Sequence, residues 1–288
     1  MLYLIGSAIV IAAVFVGYTI EGGKIGVIIE PIIPESIIIL GAAVGSLIGA
    51  CPPHVLKPTL GAVGKVLKGN PYTKTVYMEA LMMQYEIYVN IKKGGLLALE
   101  NDVNDPHNSS IFKKYSTIMA NHHALDFFCD SMKLLVNGAA KADEIDQVMD
   151  MDLDVHHAEA AIPGAAISNF ADSFPAFGIV ACVIGVVITM GYLNEGPEVI
   201  GHHVASALVG TFLGILLGYG FFSGIGKNVD ALNAAEGSFF NCLRAGLTSF
   251  GNGAAPVTAV EFARRNVPND VRPGSGELEE VVRQIKPR

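Results

Sequence analysis

Three stretches of this chain, residues 1–20, 174–192 and 204–222, contain no Asp, Glu, Lys or Arg. At about 1.5 Å of rise per helical residue, each approaches the roughly 30 Å thickness of a hydrocarbon core. Backbone amides in lipid have no water to bond, so each run is confined to a helix that satisfies its own backbone. A fourth, shorter run over 36–51 begins just after Glu35. Together they predict an all-α, polytopic membrane protein with four transmembrane helices. Composition agrees: of 288 residues, 51% are hydrophobic and only 16% charged, outside the range of an ordinary soluble domain. The first run lacks a basic n-region and a small-residue cleavage site, so it reads as a retained helix rather than a leader.

Basic residues orient the helices. Of 19 Lys and Arg, only Lys24 lies between helices 1 and 2, and none lies between helices 3 and 4. Ten fall between Lys57 and Lys141, and eight follow helix 4. The positive-inside rule therefore places residues 52–167 and 226–288 in the cytoplasm. The expected division is transmembrane helices 1 and 2 over 1–51, a cytoplasmic helical domain over 52–167, transmembrane helices 3 and 4 over 168–225, and a cytoplasmic extension with a terminal helix over 226–288. The connection GGKIGVIIEPIIP, short and proline-bearing, is expected to lie against the outer membrane face.

Within 52–167 the chain is polar and helically periodic. KTVYMEALMMQYEIYVNIKK reads as a helix stopped by Gly94-Gly95, LLALENDV as a restart, and Asn104-Asp105-Pro106 as a turn. SSIFKKYSTIMAN and HHALDFFCDSMKLLVNG read as two further amphipathic segments. A helix from about 141 to 162 carries Asp143, Glu144, Asp146, Asp150, Asp152, Asp154 and Glu159, a solvated acidic face, with Pro163 close to membrane re-entry. The pattern over 228–253 extends helix 4 beyond the membrane, and ELEEVVRQIK closes the chain as a short amphipathic helix. Gly41, Gly45 and Gly49 on helix 2, and Gly210, Gly214 and Gly218 on helix 4, form small-residue stripes for close helix contact, within the chain or between copies of it.

Several function classes are excluded. A net charge of −8 argues against nucleic acid as a partner. Cys51, Cys129, Cys182 and Cys242 show no CxxC spacing, and the pairs His122-His123, His156-His157 and His202-His203 are poor chelators, because adjacent helical residues diverge by about 100°. No phosphate-binding glycine loop and no nucleophile–base constellation is present, so neither an enzyme nor a resident cofactor is expected. No charged residue falls inside the four runs. The polar groups there are the hydroxyls of Thr189, Ser206 and Thr211, so an ion-binding carboxylate is expected to come from another chain. Pro175, beside Asp172 at the cytoplasmic mouth of helix 3, removes an N–H and leaves the Ala171 carbonyl without its helical donor. The residue pair marks either a static kink or a point of movement.

ADSFPAFGIVACVIGVV followed by HHVASALVGTFLGILLGYG resembles the MotA family of flagellar-motor stator subunits, within the MotA/TolQ/ExbB proton channels. YTKTVYMEALMM, GGLLALENDV, IFKKYSTIMA and AVEFARR extend the resemblance over nearly the whole chain. The resemblance implies a bacterial inner-membrane homopentamer around a MotB-type, single-helix, peptidoglycan-binding subunit that brings the ion-binding Asp. Ion flow would drive rotation and turn the rotor through its protein FliG. Residue by residue, Pro175 matches the helix 3 proline that couples ion passage to movement, Thr211 a helix 4 threonine of the ion path, and Glu100 the acid that meets the rotor. Asp172, Cys182 and Ser206 complete the expected path. Lys92 stands where relatives often have Arg, keeping the charge but losing the planar fork. Phe222-Ser223-Gly224 replaces a common FxSP, so no coupling role passes to Gly224. Cys182 replaces the Thr of sodium-type relatives. A thiol is a poor ligand for a hard cation, which favours protons over sodium as the translocated ion. An ExbB- or TolQ-like energiser, a sodium-driven stator and a structural scaffold are the alternatives.

Overall fold

A computed structural model describes residues 2–285 of the chain. Among them every regular element is helical. Two compact units share the chain: residues 1–69 with 160–232, and residues 70–159 with 233–288. The long helices α8 (Ala142–Met190) and α10 (Ser223–Gly251) contribute to both.

The first unit holds α1 (Leu2–Ile20), α2 (Ile25–Ala50), α3 (Pro53–Lys68), the later part of α8, α9 (Pro197–Leu217), a π-helical turn over Gly218–Phe222 and the start of α10. Four helices, α1, α2, α8 and the one that begins as α9, are long and apolar enough to cross a membrane. Their inward faces meet at Ile39, Ala43, Phe174, Ala181, Val209 and Leu213. Their outward faces carry exposed Ile37, Ile179, Val183, Val187 and Leu208. So much open apolar surface would be insoluble in water and is what lipid solvates. No residue of α1 is buried.

Helix α2 departs from expectation. It begins at Ile25, not near Ser36, and contains Pro31 and Pro34. The segment expected to lie on the membrane face is thus helical. Its run of Ile and Val is too apolar to remain a solvated loop, and a helix bonds most of the backbone that a loop would leave bare in lipid. Helix α8 departs similarly, running unbroken through both Pro163 and Pro175.

The division into units also differs from the sequence-based boundaries. α3 packs in the first unit, burying Thr59, Ala62 and Val66, with Ala62 and Val66 against Ile167, Ile225 and Val229. Its opposite face exposes Lys57, Lys65 and Lys68 with Leu60 and Leu67.

In the second unit α4 (Lys74–Gly94) is the central element. It ends at Gly95, whose φ of 79° admits glycine far more readily than other residues. A 3-10 turn leads into α5 (Glu100–Asn104), and another precedes α6 (Ser116–Ala120). SSIFKKYSTIMAN is therefore broken rather than one helix. The Ser109 hydroxyl draws the chain round there: it donates to Asp102 and accepts from the amides of Ile111 and Phe112. α7 (His122–Val136), α11 (Pro256–Arg265) and α12 (Ser275–Gln284) complete the unit. Tyr77 and Tyr88 of α4 meet Phe239 and Phe250 of α10, Tyr88 stacked on Phe250 at 4.3 Å. The acidic face of α8 is not simply solvated: the Arg244 guanidinium binds both carboxylate oxygens of Asp146 at 2.7 and 2.9 Å and also pairs with Asp150.

Phe239 is fully buried in this core. Phe239→Ala should lower the stability of the second unit by about 3–5 kcal/mol, measured by denaturant unfolding of the detergent-purified protein. Glu261 offers a pH-dependent counterpart. Hydrogen bonds from Arg264 and Arg265 hold its carboxyl at about 2, below the ordinary 4.5. That contribution is complete above the ordinary value and fades as pH falls toward 2. Glu261→Gln should therefore reduce melting temperature at neutral pH and narrow its gap from wild type as pH falls below 4.5, read by thermal scans across acid pH.

Candidate functional site

Of the expected path residues, Pro175 and Thr211 lie where α8 runs against α9. The sequence lets the two backbones touch because both faces are nearly bare. A methyl added at Gly214 would sit 2.6 Å from the Phe174 carbonyl oxygen and 2.9 Å from the Gly178 Cα. One added at Gly178 would meet the Gly210 carbonyl at 2.8 Å and the Thr211 Cα at 3.4 Å. Further toward the outer end, a methyl at Gly185 would strike the Ala207 side chain at 2.6 Å. Side-chain volume is excluded along about three turns of both helices.

The proline is built into this seam. Pro175 has no N–H to give the Ala171 carbonyl. That oxygen faces Gly218, where an added methyl would lie 2.7 Å from it and 3.0 Å from the Pro175 ring. At this same residue the α9 helix changes hydrogen-bonding pattern, and Gly218–Phe222 forms the π turn. Wide turns of this kind are rare and concentrate at functional sites. Two helical irregularities, one on each helix, are thus opposed. Three rings brace them: Phe174 stacks on Phe222 at 4.7 Å, and Phe170 meets both edge-on at 4.9 and 5.0 Å. The Tyr3 hydroxyl of α1 donates to the Phe221 carbonyl at 3.3 Å. Gly224, where relatives often carry proline, follows directly on this turn.

Around that seam the named residues divide. Pro175, Cys182, Ser206 and Thr211 are half-buried, and Asp172 is exposed. Ala181 and Gly210 pack together, so Cys182 and Thr211 each lie one residue from the same contact. The seam therefore brings Pro175 and Thr211 to one interface, Cys182 follows Ala181 beside it, and Asp172 is exposed. Thr189 is buried with its hydroxyl donating to the Gly185 carbonyl of its own helix at 2.8 Å, a packing role.

Lys92 and Glu100 belong to the second unit and are both exposed. They flank the Gly94-Gly95 break, Lys92 in the last turn of α4 and Glu100 in the first turn of α5. Each sign suits its helix end. The Lys92 ammonium lies 5.8 Å from the Phe250 ring centroid, within cation–π reach.

One carboxyl was placed outside the membrane helices by the sequence and lies within one. Glu35 is the eleventh residue of α2, 7% exposed, and its Oε2 has no hydrogen-bond partner among the described residues. It faces Gly210, where an added methyl would come 2.6 Å from that oxygen. The expectation that no spanning helix carries a charge-bearing group is thereby corrected. A signal existed: Glu35 continues the stripe Ile28, Pro31, Ile39, Ala43 at helical spacing, all buried. Ending the outer connection at Pro34 and beginning the apolar run at Ser36 hid it.

Several known proteins are similar to this chain. Residues 4–95 match the family described as Motility protein A N-terminal, and residues 119–229 match the MotA/TolQ/ExbB proton channel family. Motility protein A of Escherichia coli (strain K12) is 38% identical over 99% of this chain and 96% of its own. Chemotaxis protein LafT of Vibrio parahaemolyticus is 31% identical over 96% of each. Among solved structures, C. jejuni MotAB shares the fold with a TM-score of 0.75 at 19% identity, covering 93% of this chain and 96% of that one. The MotAB stator complex of Bacillus subtilis gives 0.71 at 20% identity, covering 90% and 92%.

The two glycine stripes part company here. Gly210, Gly214 and Gly218 press on α8 or α2, whereas a methyl at Gly41, Gly45 or Gly49 would meet nothing within 4 Å. Gly214→Ala should cost about 1–3 kcal/mol through forced separation of the helices. Gly41→Ala should leave the melting temperature of the isolated chain in detergent unchanged. Thermal scans of the two variants side by side test the difference.

Proposed function

The chain belongs to the MotA/TolQ/ExbB proton channel family, and on that premise we propose how it works as an ion-conducting stator subunit of the bacterial flagellar motor. It is a multi-pass protein of the inner membrane. Five copies surround a MotB-type subunit whose single helix brings the aspartate that binds the ion. This chain supplies the wall of the path through α8 and α9, and the rotor contact through its second unit. It acts as a channel and torque generator, not by covalent catalysis.

The observation that carries this reading is the opposition of Pro175 to the π turn. A wall that must respond to a change of charge needs a place where two packings differ little in energy. At the seam the Ala171 carbonyl lacks its helical donor, and the facing backbone has slipped out of α-helical register. A small shift of α9 along α8 exchanges few hydrogen bonds there. Thr211 and Cys182 sit one to two turns away, facing the partner's aspartate, and Ser206 continues the polar line toward the outer end. When the aspartate gains or loses its proton, its attraction for this wall changes, and the seam takes up the movement. α8 and α10 leave the seam without interruption toward the second unit. There Lys92 and Glu100 meet charges of the opposite sign on the rotor protein FliG. Exposed charges steer and register such a contact more than they hold it. Asp172, exposed near the inner end of the seam, gives released protons a first acceptor.

The ion in this reading is the proton. The thiol of Cys182 offers a hard cation little, and Thr211 alone makes a thin coordination shell for sodium.

Lys92→Glu and Glu100→Lys should each strongly reduce swimming while the protein stays in the membrane, whereas Lys92→Ala should weaken rotor coupling by no more than about 1 kcal/mol. Swim tracking with membrane immunoblots checks both. Pro175→Leu restores a donor to the Ala171 carbonyl and should abolish motility at unchanged protein level; ordinary swimming would reduce Pro175 to a static kink. Expressed without its partner subunit, the chain should pass almost no current. Swimming speed should be indifferent to sodium at fixed proton-motive force, and a steep sodium dependence would overturn the choice of ion.

A further inference from the structure

Glu35 has no part in the mechanism above, and nothing in the packing of α2 requires a carboxyl. The residue sits in the inward stripe of a spanning helix, among Ile28, Ile39 and Ala43, where an Ile or Leu would fill the same space. Instead a polar side chain is 93% removed from the surface, and its Oε2 ends without a protein partner. Gly210 makes room for that oxygen: any side chain there would overlap it. The Ala181 methyl borders the same gap, 3.0 Å from where a Gly210 methyl would stand. α2 and α9 meet at this point with α8 alongside, and the Glu35 Oε2 has no hydrogen-bond partner among the described residues.

Depth places this point near the middle of the membrane. Glu35 lies ten residues from the outer end of α2, Gly210 thirteen from the start of α9, and Ala181 nine from the end of α8. At about 1.5 Å per residue these distances are about 15, 20 and 14 Å, close to half of a hydrocarbon core about 30 Å thick. The next residues along α8 and α9 are Cys182 and Thr211, the two groups assigned to the path. A buried acid without a partner is costly, and in a membrane such groups mark routes of ions or protons.

We propose that Glu35 is a second proton-carrying carboxyl of the stator, belonging to this chain and lying at the level of Cys182 and Thr211. The inference rests on the stator reading and adds a relay to it. A hydronium arriving from outside protonates the Glu35 carboxylate and leaves water. The neutral acid then gives that proton to a water on the Thr211 side and returns to carboxylate, so one proton advances and no bond between heavy atoms changes. Gly210 on α9 faces Glu35 and Ala181 on α8 borders Gly210, and neither titrates. The next titratable groups on the surrounding helices are Glu30 on α2, Cys182 on α8, His202 and His203 on α9, and Tyr18 of α1 in the same cluster. His202 already pairs with Glu30 at 3.2 Å at the outer end.

The test uses the full chain assembled with its partner subunit. Proton flux into proteoliposomes and swimming speed in cells are measured over acidic to alkaline external pH, for wild type, Glu35→Gln and Glu35→Asp. Glutamine keeps the size and polarity of the side chain but exchanges no proton. Glu35→Gln should assemble normally, lower proton flux by about tenfold or more, and flatten its dependence on external pH; Glu35→Asp should restore most of both. Wild-type flux with a wild-type pH profile in Glu35→Gln would overturn the proposal. If the wild-type complex itself passed no protons, the stator reading would fail instead. Should Glu35→Gln not assemble, infrared spectroscopy decides: a protonated-carboxyl band that shifts between wild type and Glu35→Asp must respond to external pH. A pH-independent band would make Glu35 a structural acid and sink the relay.

Discussion

Backbone contact between α8 and α9 is the constraint from which the rest of the first unit follows. Gly178, Gly185, Gly210, Gly214 and Gly218 leave no side chain between the two helices. In lipid, hydrophobic burial does little to join helices, because lipid tails are as apolar as leucine. Close packing and polar contact must do it. Once the backbones touch, carbonyl oxygens become part of the interface. The missing donor at Pro175 then matters, because its carbonyl lies against Gly218 rather than against lipid. The aromatic cluster of Phe170, Phe174 and Phe222 keeps the seam closed around that defect. A tight interface with one weak turn can move locally without falling apart.

The same geometry separates surfaces that are used within the chain from those left over. α9 is spent on α8 and α2. α1 buries nothing, and the Gly41, Gly45 and Gly49 stripe of α2 meets no neighbour. The second unit is built on other physics. It is stabilised by aromatic and aliphatic burial around α4, and polar groups at its surface pair locally, as Arg244 does with Asp146 and Asp150. Lys92 and Glu100 stand outside those pairs, on either side of a glycine break, where their charges remain available.

Much of this was legible in residue order. Four spans followed from uncharged runs. The stop of α4 followed from Gly94-Gly95, and α7, α10 and α12 from their periodicity. Legibility failed where local chemistry and environment disagree. Pro31 and Pro34 read as loop residues because proline breaks helices in water, yet an apolar segment in lipid stays helical around them. Ser109 looked like part of a helix, but its hydroxyl captures two amides and Asp102 and turns the chain aside. The acidic run of α8 looked uniformly solvated because its partner, Arg244, lies about a hundred residues away.

The sequence by itself determined that four segments must be helical and meet lipid, because both follow from the composition of a single segment. It also set the sign of each exposed surface. Only the tertiary structure decided which of two equivalent glycine stripes closes on a neighbour, that the carbonyl freed by Pro175 meets a π turn, and that Glu35 is sealed against Gly210. Each depends on the register between segments far apart in the chain. That register is set by how several helices pack at once, which no one segment encodes.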